Sequence, residues 1–158
     1  VSRPAEYEDA ARVLLRESGC TVRKWRTTAT GTAYVKADDW GIETPRPRGP
    51  ISFGVFAHEV GHQVMHRGNS LPRWLEEIEA WEYALAQFGR FGLDGEIAAR
   101  LKAGRCLGYA IEKAARRHPT ETTALAMQVR YRWVFELGFG GVALLQLAAD
   151  REAREARA

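Results

Sequence analysis

Three of the chain's four histidines fall within nine positions, in the run FAHEVGHQVMH at residues 56–66. On a helix, which advances about 100° and about 1.5 Å per residue, His58 and His62 stand roughly 40° apart, one turn above the other, so both rings can reach one ion. Glu59 projects about 100° round from His58, poorly placed as a ligand but able to approach a water on the same metal. That is the His-Glu-x-x-His pattern of zinc-dependent peptide hydrolysis. Zinc held by three protein ligands keeps a position for water, lowers its pKa and polarises a peptide carbonyl, while the glutamate carries the proton to the leaving amine. His58 and His62 are therefore expected as metal ligands, Glu59 as general base and Zn2+ as cofactor.

His66 behaves differently. It lies about 12 Å along the axis from His58, too far to share an ion whose Zn–N bonds are about 2 Å. The longer HExxHxxGxxH spacing also fails, because Met65 stands where glycine is needed and Gly68 where the last histidine is needed. His66 is expected either to support a ligand from behind or to face solvent.

The elements around this run can be read from punctuation and periodicity. PAEYEDAARVLLRES, 4–18, opens on proline and acids, places Ala10, Val13 and Leu14 on one face, and stops at Gly19, which predicts a helix. CTVRKW and TGTAYVKA read as two short strands and DDWGIETP as a third. TPRPRGP, 44–50, holds three prolines and must be a connection. The histidine run then sits on a helix with Val55, Phe56 and Val60 as apolar neighbours, Ser52 as N-cap and Gly68-Asn69 as its stop. LPRWLEEIEAWEYALAQFGRFG, 71–92, carries the stripe Trp74, Ile78, Trp81, Leu85 and Phe88 between a proline and glycines, a second helix. Three further helices are expected over roughly 94–116, 119–137 and 141–157.

The third ligand must come from outside the histidine run. The following helix offers Glu76, Glu77, Glu79 and Glu82. Periodicity puts Glu77 and Glu82 on the flanks of the apolar stripe and Glu79 about 140° from Trp74, so geometry alone favours Glu82 or Glu77. The run ISFGVFAHEVGHQVMH, followed after a short turn by EIEAWEYALAQF, resembles the ImmA/IrrE-type metallopeptidases, a small gluzincin family with a His-Glu-Leu-Gly-His-like helix and then an ExEAxxFA-like helix. The resemblance covers about residues 40–90. It implies that His58 and His62 bind zinc, that Glu59 is the base, and that the ligand is the glutamate directly before the alanine, Glu79, with Glu82 as the alternative. This chain departs from the family in Trp81, which follows the alanine, and in LAQFGRFGLDG, which replaces an apolar end. The resemblance also implies a protein substrate, such as a DNA-binding repressor.

The expected fold class is α+β and mostly helical: a zincin-like domain spanning 1–158, with a small N-terminal sheet on the histidine helix, a catalytic core over about 1–92 and extra C-terminal helices over 93–158. TGTAYVKA is the expected edge strand, to which an extended peptide could pair. An oxyanion partner could come from Tyr34, Tyr83, Tyr109, Tyr131 or His118, and spacing does not choose among them; His118, before Pro119, reads as a surface turn residue.

Composition bounds the rest. The chain has 158 residues, 46% hydrophobic and 27% charged, which suits a globular domain rather than a disordered one. Its two cysteines, Cys20 and Cys106, fit neither a CxxC pair nor a disulfide framework and are expected as buried thiols in a reducing compartment. With no run of about 18 apolar residues and no leader-like start, the expectation is a cytoplasmic protein without membrane contact. Of the 23 cationic residues 19 are arginine, many of them after residue 90. They suit a solvated face, or, in an alternative reading, a catalytically weak binding module contacting protein or nucleic acid through C-terminal helices.

Overall fold

The computed structural model describes residues 1–36, 39–68, 71–117, 133 and 154–157, so the expected helices over 119–137 and 141–157, with His118 and Tyr131, fall almost wholly outside the described residues. The chain divides into two compact units, Val1–Lys102 and Ala103–Ala158. The architecture is α+β and mostly helical: α1 (Pro4–Ser18), β1 (Val22–Arg26), β2 (Thr32–Tyr34), β3 (Gly41–Pro45), α2 (Pro50–Met65), α3 (Arg73–Phe91) and α4 (Glu96–Arg117). No helix among the described residues is long and apolar enough to cross a membrane.

Helix α1 has the predicted bounds. Pro4 presets the first turn, the Glu6 carboxylate accepts the Arg3 N–H at 2.5 Å, and Gly19 ends the helix at φ 67°, a left-handed conformation that favours glycine. It buries Tyr7, Ala10, Ala11 and Leu14; the Tyr7 ring packs 5.8 Å from Phe53, and its hydroxyl donates to the Asp94 carbonyl at 2.9 Å.

The sheet has the order β1-β3-β2. Strand β3, which the sequence offered as an addition to the first two, is the centre: it pairs in parallel with β1 and antiparallel with β2, and its burial is nearly complete while β1 is largely exposed. A strand with a neighbour on each side has its backbone satisfied twice, so the short GIETP segment can sit in the core where a lone strand of that length could not. Strand β2 lies at an edge of the sheet.

Helix α2 starts earlier than predicted. Pro50 occupies the first turn after Gly49, and Ser52, expected as the N-cap, is instead the third helical residue, whose Oγ accepts the N–H groups of Arg48 and Gly49 at 3.1 Å each. The fixed φ of proline favours that earlier start. Every residue from Phe53 to Gln63 is buried. A helix covered on all sides needs close neighbours, and Gly61 provides one: a Cβ there would lie 3.0 Å from Tyr83 Cδ1 and 3.2 Å from the Ala80 carbonyl oxygen. Two small residues, Gly61 and Ala80, thus let α3 settle directly on the histidine helix.

Gln63 fastens the sheet to α2. Its Nε2 donates to the Tyr34 carbonyl at 2.6 Å, and its Oε1 accepts the Gly41 N–H at 3.4 Å, so one buried amide holds the end of β2 and the start of β3. Helix α3 ends at Gly92, φ 64°, as its punctuation predicts, and buries Ile78, Trp81, Leu85 and Phe88. In the second unit, Ala103, Leu107 and Ile111 of α4 form a buried stripe at four-residue spacing.

Candidate metal centre

One turn of α2 brings the His58 and His62 rings to 4.6 Å, edge to face. Both residues are buried, at 6% and 0% exposure, so their nitrogens can be satisfied only by protein groups or by an ion. Their partner is Glu77 of α3: its Oε2 lies 3.1 Å from His58 Nε2 and its Oε1 3.2 Å from His62 Nε2. Among the described residues this is a group of three side chains whose ligand atoms all lie within 4.8 Å of one another.

The Gly61–Ala80 contact explains why Glu77 is the glutamate that arrives. Ala80 is the point where α3 touches α2, and Glu77, three residues earlier, lies about 60° from it on the same side, one turn back. Glu79, which the family resemblance implies as the third ligand, is not in this group: its Oε2 is 3.0 Å from His66 Nε2. Glu82, the alternative, is not in it either. Of the large apolar stripe Trp81 reaches His58, while the close approach of Gly61 and Ala80 brings Glu77 to both histidines.

His66 is the wholly buried end of the histidine run, at 1% exposure, and does not face solvent. Its Nδ1 is 2.9 Å from His62 Nδ1. A continuous line of contacts therefore runs Glu79, His66, His62, Glu77.

Glu59 is buried at 5% exposure, with Oε1 3.2 Å from His58 Nδ1. Gly31, at the start of β2, presses on it so closely that a Cβ would stand 2.5 Å from its Oε1. The Glu59 carboxylate is thus covered by the bare backbone of Gly31, just before the edge strand. Trp81 closes another side, stacked on His58 at 4.4 Å, and Val55, Phe56 and Val60 are buried as the sequence led us to expect.

Charges in the group respond to one another. Burial pulls the His58 imidazole down, but the Glu59 and Glu77 carboxylates outweigh it and push it up to about 9. Burial dominates at His62 and lowers it. Burial raises Glu77, yet its contacts with the two histidines win and hold it well below the usual carboxylate range. Arg73, exposed, adds a contact of 2.7 Å to Glu77 Oε1. The thiol of Cys20, buried as expected, is pushed up to about 11 by burial and then by Glu59, whereas Cys106 is half-buried; neither forms a disulfide among the described residues.

The donor set suits a divalent ion. His62 Nε2 approaches Glu77 without hydrogen-bond alignment and is a buried nitrogen with no hydrogen-bond partner. Tetrahedral zinc with bonds of about 2.0–2.1 Å holds its ligand atoms about 3.3 Å apart, close to the two nitrogen–carboxylate distances here. Two imidazoles and a carboxylate are ordinary zinc ligands.

The tyrosines considered for the oxyanion divide. Tyr34 donates its hydroxyl to Glu43, Tyr83 packs at Gly61, and Tyr109 is 64% exposed on α4. The sequence missed Gly31 and Gln63. The only signals were a glycine before a β-branched strand and an amide beside His62, neither distinctive. No family model, no curated protein and no solved structure matches this chain.

Proposed function

We propose that this chain is a zinc-dependent metallopeptidase of zincin-like fold, with His58, His62 and Glu77 as metal ligands and Glu59 as general base. The observation that carries the reading is the meeting of two buried imidazoles and a half-buried carboxylate from two helices, one ligand atom being the orphaned His62 Nε2, beside the Glu59 carboxylate. The order of sheet, histidine helix and glutamate helix supports the zincin-like reading.

When bound, zinc would supply positive charge to polarise a peptide carbonyl and to make a water acidic at neutral pH. Glu59 would take the proton of the attacking water and return it to the leaving amine. Trp81 would keep bulk water from His58, which strengthens the charge interactions there. The edge strand β2, whose first neighbour Gly31 touches Glu59, offers unpaired backbone to an extended peptide next to the base. The substrate is accordingly a protein or peptide.

The test combines metal content with cleavage. Purified wild type is expected to hold one zinc, and Glu77→Ala to lose it. Glu59→Gln is expected to keep zinc but to lose cleavage of a diverse peptide library read by mass spectrometry. Full cleavage by Glu59→Gln would refute the base, and full zinc content in Glu77→Ala would refute the ligand set.

A further inference from the structure

His66 and Glu79 have no task in the mechanism above, yet both are committed to contacts behind a ligand. His66 is buried, and its two ring nitrogens are both engaged: Nδ1 with His62 Nδ1 at 2.9 Å, Nε2 with Glu79 Oε2 at 3.0 Å. A carboxylate can only accept. His66 must then donate from Nε2, which leaves its Nδ1 as an acceptor, and His62 must donate from Nδ1. The last step leaves a lone pair on His62 Nε2, the nitrogen that faces Glu77 and has no hydrogen-bond partner. With neutral rings and an ionised Glu79, only this arrangement of protons satisfies both hydrogen bonds of His66.

We infer that His66 and Glu79 are positioning residues, a hydrogen-bonded relay that fixes the proton of His62 on Nδ1 and holds its Nε2 lone pair toward the metal position. The inference rests on the ligand set proposed above. A ligating histidine that donates its other N–H to a carboxylate is a common support, and here a second histidine extends the reach from α2 to α3. His66 sits one turn beyond His62 on the same helix face, so it stacks behind the ligand without crossing to the ion. Glu79 then serves the metal from outside: it reaches His66 from the other flank of α3, about 160° round the helix from Glu77.

The experiment measures zinc affinity, by competition with a chromophoric chelator, and the His62 tautomer, by long-range proton–nitrogen NMR of the metal-free protein. For wild type we expect one zinc and a proton on His62 Nδ1. His66→Phe and Glu79→Ala should weaken zinc about 10–100-fold and mix the tautomers. Glu79→Gln, which still offers an oxygen to His66, should return affinity to within about threefold of wild type. Should His66→Phe fail to fold, the Glu79 pair decides alone, since that side chain is partly exposed. Unchanged affinity and tautomer in Glu79→Ala would overturn the relay. So would Glu79→Gln as weak as Glu79→Ala, or loss of zinc stoichiometry in both, which would make Glu79 a direct ligand. Wild type without zinc would sink the ligand set and the relay together, an outcome distinct from all of these.

Discussion

The α2–α3 seam and the three-stranded sheet contribute to the site in opposite ways. In the seam, eleven consecutive residues of α2 are buried, and side chains of both helices supply the imidazoles and carboxylates. The sheet, by contrast, exposes most of β1 and reaches the site through backbone: the bare Gly31 against Glu59, and the Tyr34 carbonyl and Gly41 N–H held by Gln63. The candidate ligand atoms gather where the two helices approach at a glycine, because there side chains from separate elements come within a few ångström of one another. A strand at the edge of a sheet presents backbone instead, paired on one side and open on the other.

Four perturbations probe that contrast. Gly31→Ala attacks the sheet's backbone contact. Its methyl would meet the flexible Glu59 carboxylate and displace it, so peptide cleavage is expected to fall about 10–100-fold, short of the roughly 100–10,000-fold ascribed to losing a general base outright, while zinc content stays at one. Equal activity in this variant would show that the edge strand does not constrain the base. Gly61→Val attacks the seam. Three heavy atoms of α3 lie within 3.3 Å of the added Cβ, two of them backbone, so a loss of about 1–3 kcal/mol is expected in urea unfolding. A variant as stable as wild type would mean that the helices can separate without cost.

The third concerns pH in the metal-free protein. His58 is raised from 6.5 to about 9 in the folded state, so its contribution is fully present below pH 6.5 and lost as pH rises to about 9. His62 is lowered from 6.5 and Glu77 from 4.5, so their contributions are lost as pH falls below those values. Melting temperature should therefore peak near pH 6.5 and decline on both sides, and excess zinc, which competes with the His58 proton, should flatten the alkaline arm. A melting temperature that keeps rising from pH 6.5 to 9 without metal would contradict the buried carboxylate–histidine coupling. The smallest effect is expected for Arg73→Ala: an exposed guanidinium on Glu77 contributes about 0–1 kcal/mol, so zinc content should not change. A lost zinc there would make the Arg73–Glu77 contact part of the site.

Local order was readable where local physics decides it. Pro4 and Gly19 bracket α1 because one presets φ and the other adopts a left-handed end, and neither depends on a distant neighbour. The same holds for Gly92 after α3. Ser52 was misread as a cap because both Pro50 and Ser52 are good starts and the sequence does not rank them. The centrality of β3 was not legible: GIETP is short, and its place between β1 and β2 is fixed by pairing with strands on both sides.

The sequence by itself determined that His58 and His62 share a helix face with Glu59 beside them, since 3.6 residues per turn leave no other choice once the run is helical. It also offered four carboxylates on the next helix as candidates. Only the tertiary structure shows which of them meets the histidine pair, because that depends on how α3 packs on α2, with Gly61 against Ala80 and Trp81 against His58. The same packing sets Glu77 against His58 and His62, Glu79 against His66, and the buried third histidine against His62.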